Sequence, residues 1–538
     1  MRKMYTLFFS ILLAASFSIP AIAQDDPVID RIIETGTTDN RTMQHLDVLT
    51  NRIGGRIIGS YAYENAVDWI SHMFTQWGLE VSVEEAGEVP VGFYRGPWFG
   101  RMLDDQDGMT LHFSTPSYTS GTKGVQRGHV VLEPKTRAEF ERMKGKLNGA
   151  WVLVTGINNG FPIDYSARGD SIRAQIIREN EPIGRYNDSV RRANFRAHPN
   201  DLPLKELSDA PALFYKEMRE AGILGIIQAS RTPITALYDR PNIMDMDFYT
   251  NLPTCPDIKL DEHQYRIIEQ KVKDRRYFQL EFDIRNHFRP GPIKYHNVIG
   301  IIRGTEFPDE YVITGGHIDS YDSATGGVDC GTGIAPNMEA ARLIMEAGGK
   351  PKRTILFTMW AAEEFGLLGS KAWVQSHTDK HAKISNYFNR DGGPTVANSL
   401  TVPPAMYDDF QWATQRLNEI NPDFPFTLNK RTTPARPQPK PEEASGSDHA
   451  WFAVNGIPVI SFGTADPKGY DFRYQDIWHT ERDTYDMSIP EYMEHTAVVH
   501  AIVVYNLANL DHLLSRDGAY QQSTPPANND SGNRRRNR

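Results

Sequence analysis

The C-terminal half of the chain switches repeatedly between two hydrophobic periods, and this alternation constrains the fold more than any other feature. Short apolar runs, "YHNVIGIIRG", "EYVITGGH", "RTILFTMWAAEE", "AKISNYFNRDGG" and "IPVISFGT", read as strands. Between and after them, "GIAPNMEAARLIMEAG", "LLGSKAWVQSH", "YDDFQWATQRLNEIN" and "EYMEHTAVVHAIVVYNLANLDHLL" carry apolar residues at helical spacing. Strands joined through helices return to the same end of a sheet, so neighbours run mostly parallel. Such a sheet is buried on both faces. The expected fold class is α/β: a mixed, mostly parallel sheet with helices on both faces.

Upstream the texture differs. Arg2 and Lys3 precede the apolar run "MYTLFFSILLAASFSIPAIA", which closes on Ala21-Ile22-Ala23. A basic start, an apolar core and a small-x-small end describe a secretory signal peptide over residues 1–23. Its apolar core is shorter than the roughly 20 residues that span a bilayer. Residues 24–89 read as the N-terminal part of a catalytic domain. They give a helix, an Arg/Gly-rich loop from Arg52 to Ser60, a helix closed by Gly78, and the alternating strand "LEVSVEEA".

From residue 90 to 290, short β-like runs ("GHVVLEP", "GAWVLVTG", "AGILGIIQAS") are separated by charged, irregular stretches. This segment is expected to be an inserted, β-rich, non-catalytic domain. The catalytic domain then resumes over residues 291–515. The polar, Pro/Asn-rich segment 516–538 is expected to be disordered.

The formal net charge of −10 comes without a basic stripe. Nucleic acid is an unsuitable partner, because its binding begins with phosphate neutralisation. Cys255 and Cys330 are too few for a disulfide framework. An exported chain with so little cysteine fits a bacterial periplasm or exterior.

The chemistry gathers at strand ends. "EYVITGG" runs into His317 and Asp319, "TILFTMWAA" into Glu363 and Glu364, and "ISNYFN" into Asp391; "YQDIWHTERDT" carries His479. Ligands of open α/β sheets bind at the carboxyl ends of the strands. Between His317 and Gly333 the chain is acidic and glycine-rich, and clustered His and Asp are metal ligands. Two adjacent carboxylates leaving a buried strand repel each other unless a cation or proton compensates. Ser447, Asp448 and His449 are contiguous, whereas the members of a serine triad usually converge from separate segments. No G-x-S-x-G elbow occurs.

Taken in order, "HID…VDCGTG…AAEEFG…NRDGG…GSDHAWFAVNGIPVISF…HTERDT" resembles the zinc peptidase family M28. With "DVLTNRIGGRIIGSYAYENAVDWI", it is similar to that family's carboxypeptidase Q branch. The likeness covers about residues 40–85 and 290–512. "GAWVLVTG" and "KEMREAGILGIIQAS" between them are similar to a protease-associated domain. The resemblance implies two zinc ions. His317 and Asp391 would hold one, Glu364 and His479 the other, and Asp329 would bridge both. Glu363 would be the general base. Asp319 would sit behind His317 and orient or polarise it. Ser447, Asp448 and His449 would line the substrate pocket. The residue after the bridging Asp is commonly Asp or Asn in relatives. Here it is Cys330, expected to be a spectator.

The function expected is an exported exopeptidase acting on dipeptides or on N-terminal residues of short peptides. Its partner is a short peptide substrate, with no nucleic acid and no membrane span after signal cleavage; a homodimer stays open. Two other readings compete: a single-zinc aminoacyltransferase resembling glutaminyl cyclase, and a non-catalytic binding protein with a peptidase-like body.

Overall fold

The computed structural model describes residues 26–164, 166–194, 202–238, 243–244 and 252–521. The expected signal peptide and residues 522–538 lie outside these. The central sheet has five strands, in the order Glu80–Tyr94, His287–Ile302, Arg353–Trp360, Phe307–His317, Ile384–Asn389. The last three pair in parallel; the first two join them antiparallel. The sheet is therefore mixed, and its parallel part is the part that reaches the site.

Successive residues of a strand point to opposite faces, and these strands are apolar on both. Val298, Val312, Ile355 and Phe357 enter one core. Their neighbours Ile299, Ile313 and Leu356 enter another. Helices Tyr61–Gln76, Gly331–Glu346 and Pro490–Ala508 close the first core; Leu368–Ser376 and His449–Val454 close the second. Each such side chain contributes roughly 1.5–3 kcal/mol on burial, so covering both faces is what makes strands this apolar stable. Ser60 caps the Tyr61–Gln76 helix, its hydroxyl accepting from the Tyr63 amide at 3.1 Å. Gly78 follows that helix with φ +86°, a left-handed turn at low steric cost only for glycine.

Strands Glu80–Tyr94 and His287–Ile302 pair along their length, from Glu80 opposite Ile301 to Tyr94 opposite His287. This two-stranded ribbon leads out of the central sheet into a second body. The body is an eight-stranded sheet whose strands lie between Trp98 and Ile284. The ribbon runs through the expected boundaries at 90 and 290. Its pairing shifts register nearby, at Glu85/Gly87 and Val89/Val91. The second sheet is also packed on both faces: Leu153 and Ile227 enter one core, Val152, Val154 and Ile226 the other.

Three details differ from the sequence-based expectation. "IPVISFGT" is not a ladder strand; only Gly463–Ala465 of the region pairs as one. Residues 457–462 instead run beside the edge strand, where the Asn386 carboxamide bonds both the carbonyl and the amide of Ile460. A side chain there takes the place of a ladder partner. The second body contains a long helix, Ala167–Ala193, in a stretch expected to be irregular. The expected tail is ordered as far as Gln521, which bridges to Pro437, and the Tyr520 hydroxyl donates to the Ile457 carbonyl at 2.8 Å. Among the described residues, no helix is long and apolar enough to cross a membrane.

Candidate metal centre

The parallel strands deliver their polar ends to one place. His317 is the last residue of its strand. Its Nδ1 lies 2.9 Å from the Asp319 carbonyl. A carbonyl only accepts, so Nδ1 carries a proton and Nε2 faces inward. Nε2 is buried without a well-aligned hydrogen bond. Asp391 follows the neighbouring strand, and the Arg390 amide donates to the Gly315 carbonyl at 2.9 Å, tying the two strand ends together.

Asp329 stands between two imidazoles. Its Oδ1 is 3.2 Å from His317 Nε2 and its Oδ2 is 3.3 Å from His479 Nε2. His317 Nε2 also lies 3.6 Å from an Asp391 oxygen, and His479 Nε2 lies 3.1 Å from Glu364 Oε2. Two clusters result, His317 with Asp391 and His479 with Glu364, each facing one oxygen of the same carboxylate. Two imidazoles and three carboxylates, buried and convergent, are the nitrogen and oxygen donors that zinc accepts.

The Glu363–Glu364 turn follows strand Arg353–Trp360 through Ala362, whose φ is +54°. A left-handed backbone costs a non-glycine residue roughly 1–2 kcal/mol, so neighbours must hold it. Asn297 does so from the adjacent strand, accepting from the Ala361 amide and donating to the Gly369 carbonyl, both at 2.9 Å. Asp319 does the rest: its two oxygens accept from the amides of Glu363 and Glu364, each at 3.1 Å. This amends the expected role of Asp319. Its carboxylate lies 3.7 Å from His317 Nδ1, and it is the backbone carbonyl that orients the imidazole. The side chain sets the turn instead.

The electrostatics suit a cation. Burial pushes Glu364 up to about 7. Burial also raises Glu363 well above the usual carboxylate range, and the charges of Asp391, Glu364 and Asp448 add to it. For Asp329 burial is outweighed by the neighbouring imidazoles of His317 and His479, and its carboxyl falls below the usual range. His479 is pushed the other way: burial disfavours its charge, but Glu364 and Asp329 carry it up to about 10. Crowded acids therefore recruit positive charge wherever it is offered.

Ser447, Asp448 and His449 lie at the start of helix His449–Val454, beside this centre. Ser447 and His449 line a cavity of about 480 Å³ with Asp391, Tyr474 and Trp478. The Ser447 hydroxyl accepts from Asn389 Nδ2 at 2.9 Å. Among the described residues no hydrogen bond joins Ser447 to His449, so no triad is assembled. Asp448 is fully buried, and burial pushes its carboxyl up to about 7. Cys330 is buried next to His317 and Asp391. Its thiol donates to the Arg390 carbonyl at 3.2 Å, in a niche where a Cβ on Gly316 or Gly333 would crowd it.

Other residues of the site escaped the sequence reading. Asp483 accepts from the Val328 amide at 2.5 Å and the Asp329 amide at 3.2 Å, setting the loop that carries the shared carboxylate. It stands in the same "HTERDT" run as His479, and an acid four residues after a ligand was the available signal. Arg56, fully buried, donates to the carbonyls of Ile318, Thr325 and Gly326 and so shapes the loop after His317. Its signal was the Arg/Gly-rich loop, which offers no hint of a partner so far along the chain. Tyr321 lies edge-on to His479, ring centres 4.6 Å apart.

A larger cavity, about 1270 Å³, opens from His479, Tyr321 and Trp478 towards the second body. Its far wall includes Asn159, Phe161, Arg168 and Gln228.

Comparison with known proteins adds independent findings. Residues 297–503 match the model of peptidase family M28. The chain is 27% identical to carboxypeptidase Q of Rattus norvegicus over 488 residues, which is 89% of this chain and 88% of the relative. It is 21% identical to carboxypeptidase Q of Mus musculus over 482 residues, with the same coverage of 89% and 88%. Among solved structures, the peptidase M28 precursor of Shewanella amazonensis SB2B superposes with a TM-score of 0.54 at 20% identity, covering 91% of this chain and 97% of that one. A likeness at that identity speaks for the fold.

Proposed function

For a chain whose residues 297–503 match the model of peptidase family M28, we propose an exported metallo-exopeptidase that holds two zinc ions and cleaves dipeptides or N-terminal residues of short peptides. The observation that carries this reading is Asp329, whose two oxygens face two different imidazoles at 3.2 and 3.3 Å. His317 and Asp391 would hold one ion with it, Glu364 and His479 the other. Zinc bound there supplies Lewis acidity and brings the pKa of a water towards 7.

Glu363 is the general base. It adjoins the ligand Glu364 and faces the charges of Asp391 and Asp448, the place for a group that takes a proton and gives it back. The proton leaves the attacking water for the Glu363 carboxylate as the C–O bond forms. It passes to the departing nitrogen as the C–N bond breaks. Asp319 keeps Glu363 in place through the turn. The larger cavity receives the peptide. Arg168 on its wall has no ion-pair partner among the described residues, and it suits the free carboxylate of a short substrate. Export rests on the pattern of residues 1–23.

Metal analysis of the purified chain, paired with dipeptides whose termini are free or blocked, tests the reading. Two zinc ions per chain and hydrolysis that needs a free amino terminus are expected. One ion with no hydrolysis would overturn it in favour of aminoacyl transfer. A full ion complement with no turnover of any peptide would point to a binding protein.

A further inference from the structure

We propose that the segment Thr232–Tyr238 of the second body is a working part of one metal position, the one formed by Glu364, His479 and Asp329. The inference rests on the two-ion reading. This arm leaves strand Gly225–Ser230 and reaches both turns that supply ligands to that position.

At the His479 turn, the Ile234 amide donates to Glu481 Oε1 at 2.9 Å and the Glu481 amide donates to the Ile234 carbonyl at 3.0 Å. Thr235 and Thr480 form an isolated antiparallel bridge. The other oxygen of Glu481 is 2.7 Å from His112 Nε2, again on the second body. At the Glu364 turn, the Tyr238 hydroxyl donates to the Glu364 carbonyl. The Tyr238 ring stacks on Phe365 at 4.1 Å and on Tyr321 at 5.2 Å, and Tyr321 meets His479.

These contacts have work to do. His479 has φ +57° and lies outside any regular element. A left-handed histidine in a loop keeps its position only if neighbours over-determine it. The His317–Asp391 position is supported differently, by the Asp319 carbonyl and by the bond between the Arg390 amide and the Gly315 carbonyl, all within the catalytic body. The two positions therefore depend unequally on the second body. Loss of an outer partner of a metal ligand typically lowers affinity about 10–100-fold, and here that loss should fall on one ion of the pair.

The test uses the full chain and three variants, Glu481→Ala, Glu481→Gln and Tyr238→Phe. Zinc content is followed under graded chelation, and absorption spectra are taken after cobalt replacement. Wild type should release two ions. Glu481→Ala and Tyr238→Phe should keep one tightly and bind the other about 10–100-fold more weakly, with only one cobalt spectrum changed. Glu481→Gln retains an acceptor for the Ile234 amide and should largely restore the second ion. A merely destabilised fold would weaken both ions together, and that result overturns the inference, as do two unaffected ions in both weakening variants. Tyr238→Phe removes a single hydroxyl, so it carries the test if Glu481→Ala does not fold. A wild-type chain with fewer than two ions overturns the two-ion reading first and the inference with it.

Discussion

Replacing Asp319 by Ala separates two roles that one side chain could play. The carboxylate is fully buried and accepts two backbone amides at 3.1 Å, those of Glu363 and Glu364. A hydrogen bond to a charged group contributes about 1.5–3 kcal/mol, and a buried amide left alone costs a similar amount. Asp319→Ala should therefore cost on the order of 3–6 kcal/mol, concentrated in the turn that carries the base and a ligand. A displacement of about 1 Å at that turn lowers turnover about 100-fold. His317 should be spared, because its Nδ1 bonds the backbone carbonyl, which the variant keeps. Three measurements check this together: hydrogen exchange at the 363 and 364 amides, metal content, and dipeptide turnover. Faster exchange, low turnover and a retained ion at His317 are expected. Unchanged exchange with loss of the His317 ion would refute the reasoning and return Asp319 to an imidazole-orienting role.

Glu363→Gln should retain both ions and lose about 10²–10⁴ in rate; loss of an ion would mean that Glu363 and Glu364 have exchanged roles. Asp329→Ala should reduce binding of both ions, whereas His479→Ala should affect chiefly one, so equal single-ion losses in the two would contradict a shared carboxylate. Cys330→Ser should leave metal content intact, since the thiol is engaged by the Arg390 carbonyl; a lost ion would make sulfur a ligand. His495 is buried and its pKa is lowered by burial to about 4, below the unfolded value near 6.5. The unfolded chain then binds the extra proton as pH falls below 6.5, so stability drops, by about 2 kcal/mol at pH 5 and about 3 below pH 4. His495→Leu should flatten that part of the pH dependence in urea unfolding, and an unchanged slope would exclude His495 as its source.

Local period made the site's skeleton readable. The strands ending at His317, Trp360 and Asn389 are apolar on both faces, and their polar termini are abrupt. What could not be read is contact at a distance. Nothing near Asp319 signals that its carboxylate serves amides more than forty residues away. Arg56 and Tyr238 reach the site from other parts of the chain, and neither carries a local mark of its partner. The helix Ala167–Ala193 was missed for a different reason: it docks by polar side chains. Asn180 bonds the carbonyls of Lys135 and Ser208, and Asn187 bonds the Lys205 carbonyl and amide. A reading that looks for an apolar stripe passes over such a helix.

The ribbon of Glu80–Tyr94 and His287–Ile302 also bears on assembly. Its two strands are neighbours in space but are separated by roughly 190 residues of chain. Closing a loop of that length from an unstructured state costs about 5 kcal/mol. A second body that folds first holds residues 98 and 284 opposite each other, so it brings the strand ends together before the central sheet forms. During synthesis, the Glu80 strand emerges long before its partner and must wait as an open edge. Its glutamates, Glu80, Glu84, Glu85 and Glu88, give that edge the charge that discourages pairing with a foreign strand. The intervening body is thus the device that delivers the first strand of the central sheet to a partner made much later, and a chain cut down to residues 291–515 would lack both the strand and the arm at Glu364 and His479.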